Sequence, residues 1–180
     1  DSDFDTQTLS WFLVFYPDND GITETLIRAS YTSGAGGSSF NLWGSFQTTT
    51  DGGVFKGHSR ESDGTFSGWA STDAFWQAGR WYIASTVWNG TTGDIRGRII
   101  DEELNREDDS NPGATANPGG HSFTTLGCHT ASPRNLFFDG RIAEVLIYDR
   151  ALSQGEQDQV ELYLLSKYFT PARGTTLMVK

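Results

Sequence analysis

The sequence predicts an all-β chain of antiparallel strands with one short helix near its C-terminal end, and three observations predict it. Glycine is abundant at 21 residues, and 12 Phe and 6 Trp accompany many threonines, a mixture suited to short half-buried strands joined by tight turns. Apolar and polar residues alternate cleanly through three successive segments between residues 39 and 71. Only one stretch carries a helix signature: Ser153 followed three residues later by Glu156 is a capping box, directly after the strand-length apolar run Ile142, Val145, Leu146 and Ile147.

Composition bounds what such a chain does. At 180 residues, 36% hydrophobic and 13% aromatic, it buries one sizeable core, so a single domain is expected over residues 1–180. A formal charge of −10 repels phosphate backbones and anionic lipid, which makes nucleic acid and membrane surfaces poor partners. No apolar run approaches the roughly 20 residues of a membrane helix. The chain starts at Asp1 with neither Met nor a signal sequence, which reads as a processed or excised end. Cys128 is the single cysteine and has no internal disulfide partner; beside His129, without further ligands, it reads as a packed thiol rather than a metal pair.

Taken in order, residues 8–16 are apolar on both alternating faces, as in a central strand covered on both sides, and the run ends at Pro17. Residues 18–21 are a turn, 22–30 the next strand and 31–38 a Gly/Ser loop. Strands follow near 39–47, 53–60 and 64–71. If Phe40, Leu42, Phe46, Phe55, Phe66 and Ala70 face the core, alternation sends Asn41, Trp43, Ser45, Gln47, Lys56, His58, Arg60 and Trp69 to the other face. Residues 80–90 form a strand ending in an Asn-Gly turn, and 94–102 return from it with Arg96 and Arg98 on one face. Residues 104–120 lack apolar periodicity, contain two Asn-Pro steps and read as a long surface loop. The last strands are expected at 123–128 and 137–148, and the helix at 154–168, with Val160, Tyr163, Leu164 and Tyr168 on one side.

The string Gly140-Arg-Ile-Ala-Glu-Val145, followed by Tyr148-Asp-Arg-Ala-Leu-Ser153 and a helix ending in Lys167-Tyr168, resembles the C-terminal signature of laminin-G-like, concanavalin A-like jelly-roll domains. Trp81, Trp88, Asn89 and Gly90 match a second recurring mark of that family. The resemblance spans roughly residues 8–169 and implies a two-sheet antiparallel jelly-roll β-sandwich with one short C-terminal helix. It also implies an extracellular, periplasmic or cell-surface setting, within a larger polypeptide, for a domain that binds glycans or proteins. Family members open with an additional strand beside the 142–148 strand. Here the tail, residues 171–180, is expected to fill that edge through apolar Thr175-Thr-Leu-Met-Val179. By the same resemblance Asp139 and Glu144 brace the corner between strand and helix.

The face opposite the core combines stacking platforms, Trp43 and Trp69, with the cations Lys56, His58, Arg60, Arg96 and Arg98 and the amides Asn41 and Gln47. Sugars present apolar C–H faces to flat rings and hydroxyl or acid groups to planar donors, so this set is the candidate site for a glycan. Several cations on one face of an acidic chain favour an anionic polysaccharide, since guanidinium groups bind carboxylate and sulfate through paired hydrogen bonds.

Enzymatic constellations are not found. The Glu-x-Asp-x-x-Glu string of concanavalin-like hydrolases is absent, Ser59-Arg60-Glu61 bears only a faint likeness to the first of three alginate-lyase motifs and the other two are absent, and His58, His121 and His129 lack a nucleophile elbow. Asp18 and Asp20 have the alternate oxygen ligands that begin a calcium loop, and the resemblance also implies Ca2+ at a sandwich rim, so calcium is a candidate cofactor and these two are candidate ligands. Asn89-Gly-Thr91 fits a glycosylation acceptor and equally a hairpin turn. The expected function is noncatalytic, lectin-like carbohydrate binding. The alternatives are a protein-interaction or spacer domain of a larger extracellular protein, and a polysaccharide lyase or glycoside hydrolase without recognisable motifs.

Overall fold

The structure is a computed structural model of the chain, and it describes residues 8–18, 24–32, 39–47, 54–60, 66–71, 77–111, 123–128 and 137–169. Ten strands and one helix occur among these residues: β1 (Thr8–Pro17), β2 (Glu24–Thr32), β3 (Ser39–Gln47), β4 (Val54–Arg60), β5 (Phe66–Ser71), β6 (Tyr82–Asn89), β7 (Asp94–Asp101), β8 (Arg106–Asn111), β9 (Phe123–Leu126), β10 (Gly140–Tyr148) and α1 (Gln154–Tyr168). They form two five-stranded antiparallel sheets, β10-β1-β6-β7-β8 and β5-β4-β3-β2-β9. The chain is an all-β sandwich with one short helix.

The first sheet is covered on both sides, which explains why β1 is apolar on both faces. Leu9, Trp11, Leu13 and Phe15 join Tyr82, Trp88, Ile95 and Ile99 in a core shared with Leu26 and Ile27 of β2 in the second sheet. From the other side of β1, Phe12 and Val14 join Ile83, Val87 and Ile100 under Leu152 and Leu164 of the helical segment. Full burial of one such side chain contributes about 1.5–3 kcal/mol, so a strand apolar on alternate faces is stable only between two covering layers. The expectation for residues 8–16 holds.

The capped helix begins where the sequence places it. Ser153 Oγ accepts from the Glu156 backbone N–H at 3.3 Å, and the Glu156 carboxylate accepts from the Ser153 N–H at 2.8 Å. Ser10 ties this corner to β1: its hydroxyl donates to the Arg150 carbonyl at 2.8 Å and accepts from the Leu152 N–H at 2.9 Å. Glu144, expected to brace this corner, instead accepts from Lys167 Nζ at 3.1 Å and so holds the far end of the helix.

Four expectations change. Tyr163, expected on the packed side of α1, is exposed; the buried stripe is Gln157, Glu161 and Leu164, because polar residues of β6 and β7 lie beneath the first half of the helix. The hairpin after β6 takes its positive φ at Gly93 (φ 76) rather than at Gly90, with Asn89 Oδ1 accepting from the N–H groups of Thr91 and Thr92. The region 104–120 is not loop throughout, since Arg106–Asn111 is β8, which among the described residues pairs with β7 alone. An outermost strand needs no apolar face, and charges along it discourage edge-to-edge association. Leu104, at φ 67, turns the chain into β8 while Asp101 Oδ1 accepts from the N–H groups of Glu103 and Asn105. Finally, Arg96 and Arg98 belong to the first sheet, whereas Trp43 and Trp69 belong to the second.

Cys128 is buried. Residues 171–180 lie outside the described residues, as do Asp20, His121 and His129. No helix among the described residues is long and apolar enough to cross a membrane.

Candidate functional site

The register of the second sheet sorts its residues by face. Ile27 of β2 is buried in the shared core, and directly across from it lie Gly44 of β3, Gly57 of β4 and Ala70 of β5. One residue along each strand, on the opposite face by the alternation of the pleat, Arg28 pairs with Trp43, Trp43 with His58 and His58 with Trp69. Thr125 of β9 completes this row on the far side of Arg28. By backbone pairing this row crosses all five strands of the sheet. Neighbouring strands lie about 4.8 Å apart, so Trp43 and Trp69 are separated by about 10 Å, more than one sugar ring.

Other predicted residues of this face are placed by the same pairings. Lys56 stands two residues from His58, between Ser45 and Ser71. Asn41 lies opposite Ser30, and Gln47 opposite Val54, each an even number of residues from Trp43. Arg60 lies past a bulge between Ser59 and Arg60, opposite Phe66, so pairing does not carry the row's face to it. Arg28 is the member that sequence reasoning missed. A register shift between Thr25 and Ile27 hides it, because the shift breaks simple alternation along β2.

Arg96 and Arg98 do not contribute to this face. They project from β7 towards α1, on the opposite side of the sandwich. Arg98 is 3% exposed and donates through Nη1 to Asp158 Oδ1 and Glu161 Oε2, both at 2.7 Å. Ser85 donates to the other oxygen of Glu161 at 2.8 Å, and Gln157 Nε2 donates to Ser85 at 2.9 Å. Burial pushes the Glu161 carboxyl up, against the opposing effect of its bonds from Arg98 and Ser85. Arg96 donates through Nη2 to the Leu152 carbonyl at 2.5 Å. The alternation that puts both arginines on one face is correct, and the partner facing them is the helix.

The remaining candidates are acids. Asp18 accepts from Arg141 at 3.3 Å, and among the described residues no group of three potential metal ligands comes together. The buried carboxylates Asp101 and Glu161 are engaged in turn and helix contacts respectively.

No protein-family model matches the chain, and no curated protein matches it. Solved structures do. A SAP-like pentraxin from Limulus polyphemus superposes with a TM-score of 0.62 at 16% identity, covering 86% of this chain and 70% of the pentraxin. The CBM40 of Ruminococcus gnavus IT-sialidase, bound to α2,3-sialyllactose, gives 0.60 at 16% identity over 85% of this chain and 81% of its own. The leech intramolecular trans-sialidase gives 0.61 at 16% identity, covering 95% of this chain and 24% of the enzyme. At such identities the likeness is one of fold, and the chain shares the jelly-roll β-sandwich of these proteins.

Proposed function

We propose that this chain is a noncatalytic carbohydrate-binding module whose ligand lies on the outer face of the second sheet. The observation that supports the reading is the backbone register that sets Trp43, His58 and Trp69 in one row across β3, β4 and β5. Two indole-bearing positions flank a histidine, with Arg28 next in line and Lys56 two residues away. Aromatic rings bind the C–H faces of sugars, and cations beside them favour carboxylate- or sulfate-bearing units, so an anionic glycan is the ligand class. Asn41 and Gln47 supply hydroxyl-binding amides at either end. The sandwich fold shared with the Ruminococcus gnavus CBM40, whose structure contains sialyllactose, is compatible with such a role. We place the module in an extracellular or cell-surface polypeptide.

A glycan array run with calcium and with chelator tests the reading, using the wild-type chain and the Trp43→Ala/Trp69→Ala double variant. Binding to acidic glycans that disappears in the folded double variant is the expected result. A wild-type chain that binds no glycan in either condition favours a protein-interaction or spacer role, and turnover of a uronate polymer favours a lyase. Loss of binding on chelation assigns calcium to the site, with Asp18 and Asp20 as first ligands to substitute.

A further inference from the structure

We propose that Asn89 is a site of spontaneous covalent modification: in the folded protein its side-chain amide is lost to the backbone nitrogen of Gly90, and water then turns the resulting ring into aspartate or isoaspartate at the turn between β6 and β7. The site is independent of the Trp43–Trp69 row.

Asn89-Gly90 is the one Asn-Gly step in the chain. β6 and β7 pair as far as Asn89 opposite Asp94, which leaves residues 90–93 as the loop. The Asn89 carbonyl accepts from the Gly93 N–H at 2.7 Å. Its side-chain Oδ1 accepts from two further N–H groups of the loop, Thr91 at 3.1 Å and Thr92 at 3.3 Å. Among the described residues neither Asn89 Nδ2 nor the Gly90 N–H has a hydrogen-bond partner. Asn89 and Gly90 are half-buried and Thr91 and Thr92 exposed, so water reaches the turn. Asn105 has the opposite arrangement: its Nδ2 donates to Asp101 Oδ2 at 2.9 Å, and Arg106 after it is already paired in β8.

These bonds fit the parts of a ring closure. The Gly90 nitrogen attacks Asn89 Cγ, the new N–C bond forms, and the carbonyl electrons move onto Oδ1. Two N–H donors already face that oxygen, where negative charge develops, as in an oxyanion hole. When the carbonyl reforms, the bond from Cγ to Nδ2 breaks and ammonia leaves with the proton of the Gly90 nitrogen. Neither the attacking nor the departing nitrogen has a bond within the turn to give up. Glycine places no Cβ in the path of attack, and with Gly90 and Gly93 at its two ends the loop can swing the Gly90 nitrogen towards Cγ. Water then opens the ring at Cγ to give aspartate, or at the backbone carbonyl to give isoaspartate. The balance is one water in and one ammonia out, with no oxidant or reductant.

The product matters to the fold. A carboxylate at position 89 lies across the ladder from Asp94, and like charges directly opposite are unfavourable. Isoaspartate also lengthens the backbone where β6 meets Thr8 of β1 as well as β7, so the end of the first sheet loosens as the protein ages.

The test incubates the full chain at mildly alkaline pH and follows it by peptide mass spectrometry, with an isoaspartyl methyltransferase to detect isoaspartate. Residue 89 is expected to gain about one mass unit at a rate at least about tenfold above that of Asn105, with ammonia released in equal amount. Gly90 does not take a positive φ, so Gly90→Ala is compatible with the turn, and it is expected to slow the conversion by at least about tenfold. Should that variant not fold, Asn89→Gln carries the comparison, with no mass gain expected at position 89. Gly140→Ala, strained at the entry to β10, raises the unfolded fraction and is expected to convert at the wild-type rate, because the reaction belongs to the native turn. The proposal is overturned if residue 89 keeps its amide, if Asn105 converts as fast, if Gly90→Ala or Asn89→Gln gains mass at position 89 as wild type does, or if Gly140→Ala converts faster in step with its unfolding.

Discussion

Arg98 of β7 and Glu161 of α1 meet at 2.7 Å, with only 3% of each residue exposed. Around them Asp158 and Ser85 complete a polar cluster in an otherwise apolar layer, so the helix is placed on the first sheet by charge as well as by Leu164 and its neighbours. Burial acts to lower the Arg98 pKa, but the bonds and charges of Glu161 and Asp158 outweigh it and hold the guanidinium above its ordinary value. The role of Arg98 is therefore architectural.

Removing one partner of this pair leaves the other charged in a dry layer. Arg98→Met is expected to lose about 3–5 kcal/mol in urea unfolding, whereas Arg98→Met with Glu161→Leu recovers much of that loss. A single-variant loss below about 1 kcal/mol would show that the pair does not position the helix.

The acid limb of stability has two contributors of opposite sign. Arg150, together with the Ser153 N–H and hydroxyl, holds the Glu156 carboxyl down to about 2. Its folded value is below its unfolded one, so its contribution is present above the ordinary carboxylate range and fades as pH falls towards 2. Glu161 is raised by burial, so its contribution is present at low pH and lost as pH rises through its elevated value. Thermal melts from acid to neutral pH are expected to show Glu156→Gln flattening the loss on acidification. If Glu156→Gln melts parallel wild type throughout, the cap does not work as described.

Two glycines respond in opposite ways to alanine. A Cβ at Gly140 would collide with the Tyr16 carbonyl oxygen and the Phe138 ring, where β10 begins beside β1, and Gly140→Ala is expected to destabilise by about 1–3 kcal/mol. At Gly155, in the first turn of α1, a Cβ meets nothing within 4 Å, and Gly155→Ala is expected to stabilise by about 0.5 kcal/mol. Equal effects from the two in denaturant unfolding would contradict this account of the strand entry.

What the sequence revealed and what it hid follow from the range of the interactions involved. The helix was legible because its cap is local, with Ser153 and Glu156 three residues apart, and β1 was legible because burial on both faces leaves an unbroken apolar run. The strands that carry Trp43 and Trp69 were legible from alternation along each segment. The separation of Arg96 and Arg98 from that face was not, because alternation is silent on which sheet a strand joins; that is decided by pairing between residues far apart, such as Ser85 with Arg98 and Trp43 with His58. β8 was hidden because Arg106, Asp108 and Asp109 form an edge that needs no apolar pattern. Arg28 was hidden by a bulge, which shifts register by one residue without a mark in composition.

The central claim is that the row through Trp43, His58 and Trp69 is the anionic-glycan surface, while the arginines of β7 serve the helix side. Calorimetric titration of an acidic oligosaccharide chosen from the array tests it most directly, with wild type, Trp43→Ala, Trp69→Ala and Arg96→Met compared under one salt condition. Each tryptophan variant is expected to bind at least about tenfold more weakly, the loss of roughly 1.4 kcal/mol or more typical of a stacking residue, with Arg96→Met unchanged. Wild-type affinity in both tryptophan variants, or an equal loss in Arg96→Met, would contradict the account.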